Sequence, residues 1–311
     1  AGVGALWIFN ILWKKNRRFN FIAALLLSIY PGYYWWISAI EYQPMIASLA
    51  LQVVSIAFTL KAIEIKNAQG GERIGYTIGA ILTGWVYIAL VDYAIGMEVF
   101  RFIAVYLLLN RNSQNPFWHR LIVTIKAWFW TLVIPLGILI WRIFFFTNER
   151  KATDIGGQLS VFLGNPVATS IEGFFQIYNS LLNLSVLAWI NQFPAFVQGM
   201  RLRDVGLGVL IAVISVLITA FAERRIKASA ESQDRDGGQI QVTNEALTLG
   251  GLGMVFGVLP VVMANRYVNI SGFSHYGLPA SLAAAVFAAG GFFLRSNALG
   301  LVVVFAASLS I

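Results

Sequence analysis

The sequence predicts an all-α membrane protein, a polytopic bundle of about ten transmembrane helices. Three observations lead to this fold class. Of the 311 residues, 58% are hydrophobic and only 12% are charged, roughly half the charged fraction of a soluble domain. Long apolar runs follow one another along the chain, each bounded by charges, Gly, Pro or Asn. The ten Trp residues suit a protein with two membrane interfaces, where Trp and Tyr anchor the chain.

The predicted spans are taken from these apolar runs in chain order. They lie at about 1–13, 19–40, 43–63, 75–94, 97–110, 121–141, 205–222, 246–264, 277–294 and 297–311. The first and last runs are shorter than the roughly 20 residues that cross a bilayer. We therefore expect both to be truncated, with at least one further span upstream. The small residues of 249–257 (LGGLGMVFG) predict close helix packing rather than a ligand site.

The distribution of basic residues predicts the orientation of the chain, because cytoplasmic loops are enriched in Lys and Arg. If 181–200 does not cross the membrane, one side holds 15 basic and seven acidic residues, a net charge of +8, and the other side is neutral. If 181–200 crosses, the basic segment 223–227 moves outside and the asymmetry weakens. We therefore expect 181–200 to be an interfacial helix on the outer side.

This orientation divides the chain into three regions. Transmembrane helices are expected at 1–141 and 205–311, and 142–204 is expected to form a loop region outside the membrane. The segments Lys14–Arg18 and Glu223–Lys227 are expected to be cytoplasmic, in a multi-pass membrane protein.

Composition also excludes several function classes. The absence of Cys excludes disulfides and thiolate metal sites, and His119 and His275 lie far apart in the sequence. No P-loop, dinucleotide fingerprint, nucleophile elbow or HExxH motif is present. Basic loops account for the net charge of +8, so we expect membrane lipid as a partner and no nucleic acid.

Candidate site residues are the ionisable groups at or just below the predicted outer surface, because such groups are costly near a membrane. They are Glu41, Asp92, Glu98, Arg101, Asp154, Glu172, Arg266 and His275. Glu98 and Arg101 are three residues apart, so they share a helix face and can pair. Each group alone fits an interfacial ion pair or a snorkelling side chain. Together they predict one outer cavity, whereas the mid-span regions are nearly free of charge, which disfavours an ion-coupled transporter.

An outer cavity with carboxylates and cations suits sugar transfer from a lipid phosphate donor. A carboxylate activates the acceptor hydroxyl, and cations stabilise the departing phosphate. We expect Glu41 or Asp92 to contact the acceptor or a divalent cation, which is the candidate cofactor. We expect Arg101, Asp154, Arg266 and His275 to contact the phosphate or the rest of the substrate.

The segment 23–63 carries a resemblance to a known class. Tyr30-Pro31, then Trp36-Ile37-Ser38 and Glu41, followed by a returning apolar run, resembles a hairpin of the polytopic GT-C glycosyltransferases. The resemblance implies a transferase that uses a polyprenyl-phosphate sugar at the outer face of a bacterial plasma membrane. It also implies a key acidic residue in the first outer loop, which our orientation places upstream of residue 1. Of that pattern only Glu41 is matched here, and the other candidates rest on the predicted orientation.

A non-enzymatic membrane protein, either a transporter or an assembly subunit, is the alternative function. Polar groups that converge at the midplane would favour transport, and a groove only at the outer surface would favour transfer. A flat outer surface without a cavity would favour a subunit.

Overall fold

The computed structural model describes residues 1–30, 39–65, 70–111, 113–145, 160, 163–190, 202–228, 236–269 and 273–293. In that part of the chain all regular structure is helical, which confirms the predicted all-α class. The helices are α1 (Gly2–Leu12), α2 (Arg17–Ser28), α3 (Ala39–Glu64), α4 (Gly70–Leu90), α5 (Met97–Asn110), α6 (Phe117–Trp128), α7 (Val133–Phe144), α8 (Pro166–Leu182), α9 (Leu202–Ala228), α10 (Asp236–Met263) and α11 (Ser281–Ala288).

Four helical segments are long and apolar enough to cross a membrane. They are Tyr42–Glu64, Gly71–Leu90, Phe117–Arg142 and Ile240–Met263. These four match predicted spans, but the full set of ten is not confirmed. Shorter apolar helices occupy Gly2–Leu12, Gly206–Leu217 and Ser281–Gly291. The predicted span at 297–311 lies outside the described residues.

The span Phe117–Arg142 is built from α6, a 3-10 turn and α7. The turn, Phe129–Leu132, lies just before Pro135. A proline ring clashes with the carbonyl group four residues earlier, here that of Thr131, and removes one backbone donor. The ring therefore accounts for the tightened turn within an otherwise continuous helix.

Helices α3 and α4 form an antiparallel hairpin with direct hydrogen bonds between them. The hydroxyl group of Ser48 donates to the Tyr87 carbonyl oxygen at 2.8 Å, and that of Ser55 donates to the Ala80 carbonyl oxygen at 2.6 Å. Because one partner number rises as the other falls, the two helices run in opposite directions along a shared face.

Small residues of α10 let two other helices approach closely. A Cβ atom at Gly253 would lie 2.6 Å from the ring of Phe100 in α5 and 2.8 Å from Ala283 in α11. A Cβ atom at Gly250 would lie 2.6 Å from the backbone nitrogen of Phe287. The predicted packing role of the glycine-rich run is confirmed, since larger side chains would force these helices apart.

The surfaces of α7 and α9 are apolar and exposed. Phe144 in α7 is 73% exposed, and Leu210 and Leu217 in α9 are 54% and 62% exposed. Such surfaces are unfavourable in water, and they fit contact with lipid, which is as apolar as the side chains themselves.

Candidate functional site

The span in α3 defines two ends of the bundle. Its 23 residues from Tyr42 to Glu64 correspond to about 33 Å of helix, close to the thickness of a bilayer core. Groups that contact the start of this span therefore lie about one membrane thickness from groups that contact its end. We call these regions the Tyr42 end and the Glu64 end.

Basic side chains meet acidic ones at the Glu64 end. Lys14 contacts Glu64 at 2.5 Å, and Lys61 contacts the same carboxylate at 2.8 Å. Arg111, which directly follows α5, contacts Glu245 of α10 at 2.5 Å and so joins these two helices. Each of these ion pairs joins residues that the charge distribution assigns to the same side of the membrane.

An aromatic cluster lies at the Tyr42 end, and it draws on three separate connections of the chain. It consists of Tyr42 from α3, Tyr93 from the turn before α5, and Phe273, His275 and Tyr276 from the segment before α11. The His275 ring lies 5.2 Å from that of Tyr42 and 4.1 Å from that of Tyr276, and the Tyr93 and Tyr276 rings are 5.5 Å apart. The Tyr93 hydroxyl group also contacts the Met45 sulfur at 3.7 Å.

Charged groups border this aromatic cluster. Arg266 donates to the Tyr276 hydroxyl group, and its guanidinium carbon lies 5.4 Å from the centre of the Tyr276 ring. Asp92 pairs with Arg142 from the end of α7 and also accepts a hydrogen bond from the Tyr93 backbone nitrogen at 2.8 Å. The Asp92 side chain is 42% exposed, so its carboxylate is accessible from outside the bundle.

Burial shifts the pKa of two members of the cluster toward their uncharged forms. Burial lowers the pKa of His275 below its usual 6.5, and the positive charge of Arg266 lowers it further. Burial also raises the pKa of Tyr93 above its usual value, with Tyr276 and Asp92 acting in the same direction and Arg266 in the opposite one. At neutral pH the cluster therefore presents the neutral His275 imidazole and the neutral Tyr93 phenol beside two guanidinium groups and one carboxylate.

Helix α8 crosses the Tyr42 end rather than following a span. A Cβ atom at Gly173 would lie 3.8 Å from Val262, at the end of α10. Gln176 donates to Asn265 at 2.9 Å, just beyond that end. After a π-helical turn at Asn183–Leu187, the Trp189 ring packs 5.5 Å from the ring of Tyr30, beyond α2.

Helix α8 and the residues that follow it thus contact the ends of several elements. These contacts extend over about 24 Å of helix, from Gly173 to Trp189. Within the segment 181–200, whose interfacial position stays a prediction, the structure describes residues 181–190. The rest of 181–200 lies outside the described residues.

A second cluster of polar side chains lies inside the bundle, around Arg101. This side chain is fully buried, and its guanidinium group contacts Glu98 at 2.9 Å, the Thr59 hydroxyl group at 2.6 Å and the Ser55 hydroxyl group at 2.7 Å. The Tyr87 hydroxyl group donates to the same oxygen of Glu98. Four helical residues from α3, α4 and α5 thereby surround one arginine.

The Arg101 network lies near the middle of the span. Ser55 follows Tyr42 by 13 residues and precedes Glu64 by nine. The predicted pairing of Glu98 with Arg101 is confirmed, but the predicted location at the outer surface is wrong. The long side chain extends from the start of α5 to the centre of α3, where hydroxyl groups bind it. The expectation that mid-span regions are nearly free of charge is wrong for the same reason.

The α3 partners of Arg101 belong to a buried polar stripe that the sequence reasoning missed. Ser48, Gln52, Ser55 and Thr59 are all at most 3% exposed. Their spacing of four, three and four residues places them on one face of the helix. This periodicity is visible in the sequence, because polar residues that recur at helical spacing in an apolar run predict a face turned toward other protein.

The predicted site residues thus separate into three groups. Asp92, Arg266 and His275 border or join the aromatic cluster, whereas Arg101 is buried elsewhere, in contact with protein groups. Glu41 lies in the first turn of α3 instead of the expected connecting turn, because the helix begins at Ala39, before Pro44. Asp154 lies outside the described residues.

The described residues offer no cluster suited to a metal ion. Among them, no group of three or more His, Asp or Glu side chains lies close enough to share one. Asp92 is paired with an arginine, which competes with a cation for its carboxylate. The described side chains therefore do not form a site for the expected divalent cation.

The fold and these contacts define a helical membrane protein with a polar, aromatic-lined cluster at one end of the bundle. No protein-family model, curated protein or solved structure matches the chain.

Proposed function

We propose that this protein binds a polyprenyl-phosphate-linked sugar at the aromatic cluster and transfers the sugar to an acceptor, as a GT-C-like glycosyltransferase would. The observation that carries the proposal is the convergence of Asp92 from one connection, and of Arg266 and His275 from another, onto one cluster. Two or more of the predicted outer connections meet through Tyr93 and Tyr276, whose rings are 5.5 Å apart.

The chemistry of the cluster supports phosphate and sugar binding together. Arg266 and Arg142 are permanently charged donors with the fork geometry that suits a phosphate group. Tyr42, Tyr93 and Tyr276 offer flat apolar faces with hydroxyl groups at their edges, which suits a sugar ring. The location at the end of the α3 span suits a donor whose polyprenyl chain remains in the bilayer.

The proposed reaction assigns one role to each charged group. The acceptor hydroxyl oxygen forms a bond to the anomeric carbon while the bond from that carbon to the phosphate oxygen breaks. The phosphate leaves with the bonding electron pair, and Arg266 stabilises its charge. Asp92 takes the proton from the acceptor hydroxyl group. The neutral His275 imidazole donates or accepts a hydrogen bond to the substrate. Glu41 is retained as an alternative base.

Binding of polyprenyl phosphate to the reconstituted full-length protein tests the phosphate role. Wild-type protein is expected to prefer polyprenyl phosphate over the phosphate-free polyprenol. Replacement Arg266→Gln should weaken binding of the phosphate form about 10- to 100-fold and leave polyprenol binding unchanged, because one charge-assisted contact is lost. The matched control is Arg203→Gln, an exposed arginine of α9. Equal affinity for the two lipids in wild-type protein would reject the site.

Transfer of a labelled sugar tests the proposed base separately. With polyprenyl-phosphate hexoses as donors, Asp92→Asn should lower the transfer rate at least about 100-fold while donor affinity stays within a few fold. Unchanged transfer in Asp92→Asn and in Glu41→Gln would exclude both carboxylates from the reaction.

A second candidate function, proton-coupled transport, is favoured by the Arg101 network. Ionisable groups in the middle of a membrane span mark ion pathways in many transporters. One oxygen of Glu98 is buried and has no hydrogen-bond partner among the described residues. Liposomes loaded with a pH-sensitive dye test this alternative. Substrate-driven proton flux that Glu98→Gln abolishes would support it, and flux equal to that of protein-free liposomes would exclude it.

A further inference from the structure

A groove of about 550 Å³ lies between α1 and α2, at the opposite end of the bundle from the aromatic cluster. Leu6, Asn10, Lys14, Arg17 and Phe21 line it. The lining residues recur every four positions, as 6, 10 and 14 on one arm and 17 and 21 on the other. They therefore form one row on each arm of the α1–α2 hairpin, which turns at residues 13–16.

The groove is polarised along its length. Lys14 and Arg17 lie at the closed end of the hairpin, next to its turn. Leu6 is eight residues before Lys14 and Phe21 is four residues after Arg17, so the apolar residues lie about 6–12 Å further along the two helices. A ligand that fills the groove meets positive charge at one end and apolar side chains at the other.

An ion pair fixes the level of the groove relative to the membrane. Lys14 contacts Glu64 at 2.5 Å, and Glu64 is the last residue of the α3 span. The charged end of the groove therefore lies at a membrane boundary. Its apolar end extends back along α1 and α2 toward the level of the hydrocarbon.

The local charge remains positive after this ion pair is counted. The segment 14–18 contains four basic residues and no acidic residue, and Glu64 is shared between Lys14 and Lys61. The Lys14 side chain is 65% exposed, so its ammonium group can donate to a ligand as well as to Glu64.

Buried amide groups stabilise the wall of the groove beneath these charges. Asn20 is fully buried, and its side-chain nitrogen donates to the Asn10 side-chain oxygen and to the Trp13 carbonyl oxygen, both at 2.9 Å. These bonds join Asn10, one of the lining residues, and the residue that follows α1 to α2. The groove is therefore a formed feature of the hairpin, held in shape without a ligand.

We propose that this groove binds an anionic glycerophospholipid. Lys14 and Arg17 bind its phosphate, and Leu6 and Phe21 contact the first part of an acyl chain. The order of charges and apolar residues along the groove matches the order of headgroup and chain in such a lipid. Juxtamembrane basic residues attract anionic headgroups, so a net positive site prefers these lipids over zwitterionic ones.

Native mass spectrometry of the full-length protein tests the proposal, after exchange into nanodiscs with equal amounts of phosphatidylglycerol and phosphatidylcholine. Wild-type protein should retain phosphatidylglycerol. The double variant Lys14→Gln and Arg17→Gln should retain it at least about tenfold less, because two of the attracting charges are gone. The matched control is Arg73→Gln with Lys126→Gln, which removes two exposed basic residues outside the groove.

Three further results would overturn the proposal. Equal loss of phosphatidylglycerol in the control variant would mean that the net charge, not the groove, attracts the lipid. Displacement of the lipid by inorganic phosphate at equimolar concentration would mean that the site binds phosphate alone. A variant that fills the apolar end, Leu6→Trp, should also release the lipid while all charges remain. Undiminished retention in this variant would place the lipid elsewhere.

Discussion

Two arginine–carboxylate pairs in this protein have the same chemistry and opposite surroundings. The pair of Glu98 and Arg101 lies inside the bundle, where the exposed fractions of the two side chains are 5% and 0%. The pair of Asp92 and Arg142 lies at the Tyr42 end, where the exposed fractions are 42% and 17%. Water and any ligand can reach the second pair but not the first.

This difference separates a pair that organises helices from one that can bind a substrate. A buried charge is tolerable only while its partners are present, so Arg101 depends on Glu98 and on the hydroxyl groups of α3. An exposed pair adds little to stability, because water solvates both partners when they separate. The Asp92 carboxylate is therefore free to take part in binding without a large cost to the fold.

The largest expected effect is the difference in stability between two matched replacements, each of which removes the carboxylate charge of one pair. Glu98→Gln leaves the Arg101 charge buried without its counter-ion and should lower the free energy of unfolding by about 3–5 kcal/mol. The matched replacement Asp92→Asn should cost about 0–1 kcal/mol. Thermal unfolding in detergent, followed by Trp fluorescence, measures both.

A double variant sharpens the same comparison. Glu98→Leu with Arg101→Leu removes both charges, so it should be more stable than either single replacement. Equal destabilisation by Glu98→Gln and Asp92→Asn would show that the two pairs do not differ in the way that their burial implies.

A smaller effect is expected from the hydroxyl partners of Arg101. Ser55→Ala removes an acceptor for the guanidinium group and should destabilise the protein by about 1–3 kcal/mol, because a buried donor then lacks its partner. Thr77→Ala removes an exposed hydroxyl group that bonds only within α4, and it should change stability by less than about 0.5 kcal/mol. A similar loss in both variants would contradict a special role for the Ser55 hydroxyl group.

The smallest expected effect is a pH dependence at the aromatic cluster. Because the pKa of His275 is lowered in the folded protein, the unfolded chain binds more protons below the usual pKa of 6.5. The stability contributed by the neutral imidazole should be complete above pH 6.5 and should decrease as the pH falls through the folded pKa. In His275→Gln this part of the pH dependence should vanish, and an unchanged difference between pH 7.5 and pH 5 would contradict it.

Some of the candidate site could be predicted because the signal is local. The three-residue spacing of Glu98 and Arg101 predicts a pair on one helix face, and the pair is present at 2.9 Å. The spacing does not reveal how far the arginine side chain reaches. The sequence predicts that Arg101 lies at or just below the outer surface, whereas its guanidinium group lies at the level of Ser55 and Thr59 in α3.

The sequence by itself determined that this is a helical membrane protein and where several of its helices lie. Apolar composition and 3.6-residue periodicity act locally, so they can be read without the fold. The tertiary structure alone decided which charges meet, because Asp92, Arg142 and the neighbouring positions Arg266 and His275 come from three different parts of the chain. It also decided which charges remain accessible, since burial depends on the neighbours that a side chain acquires when the helices pack.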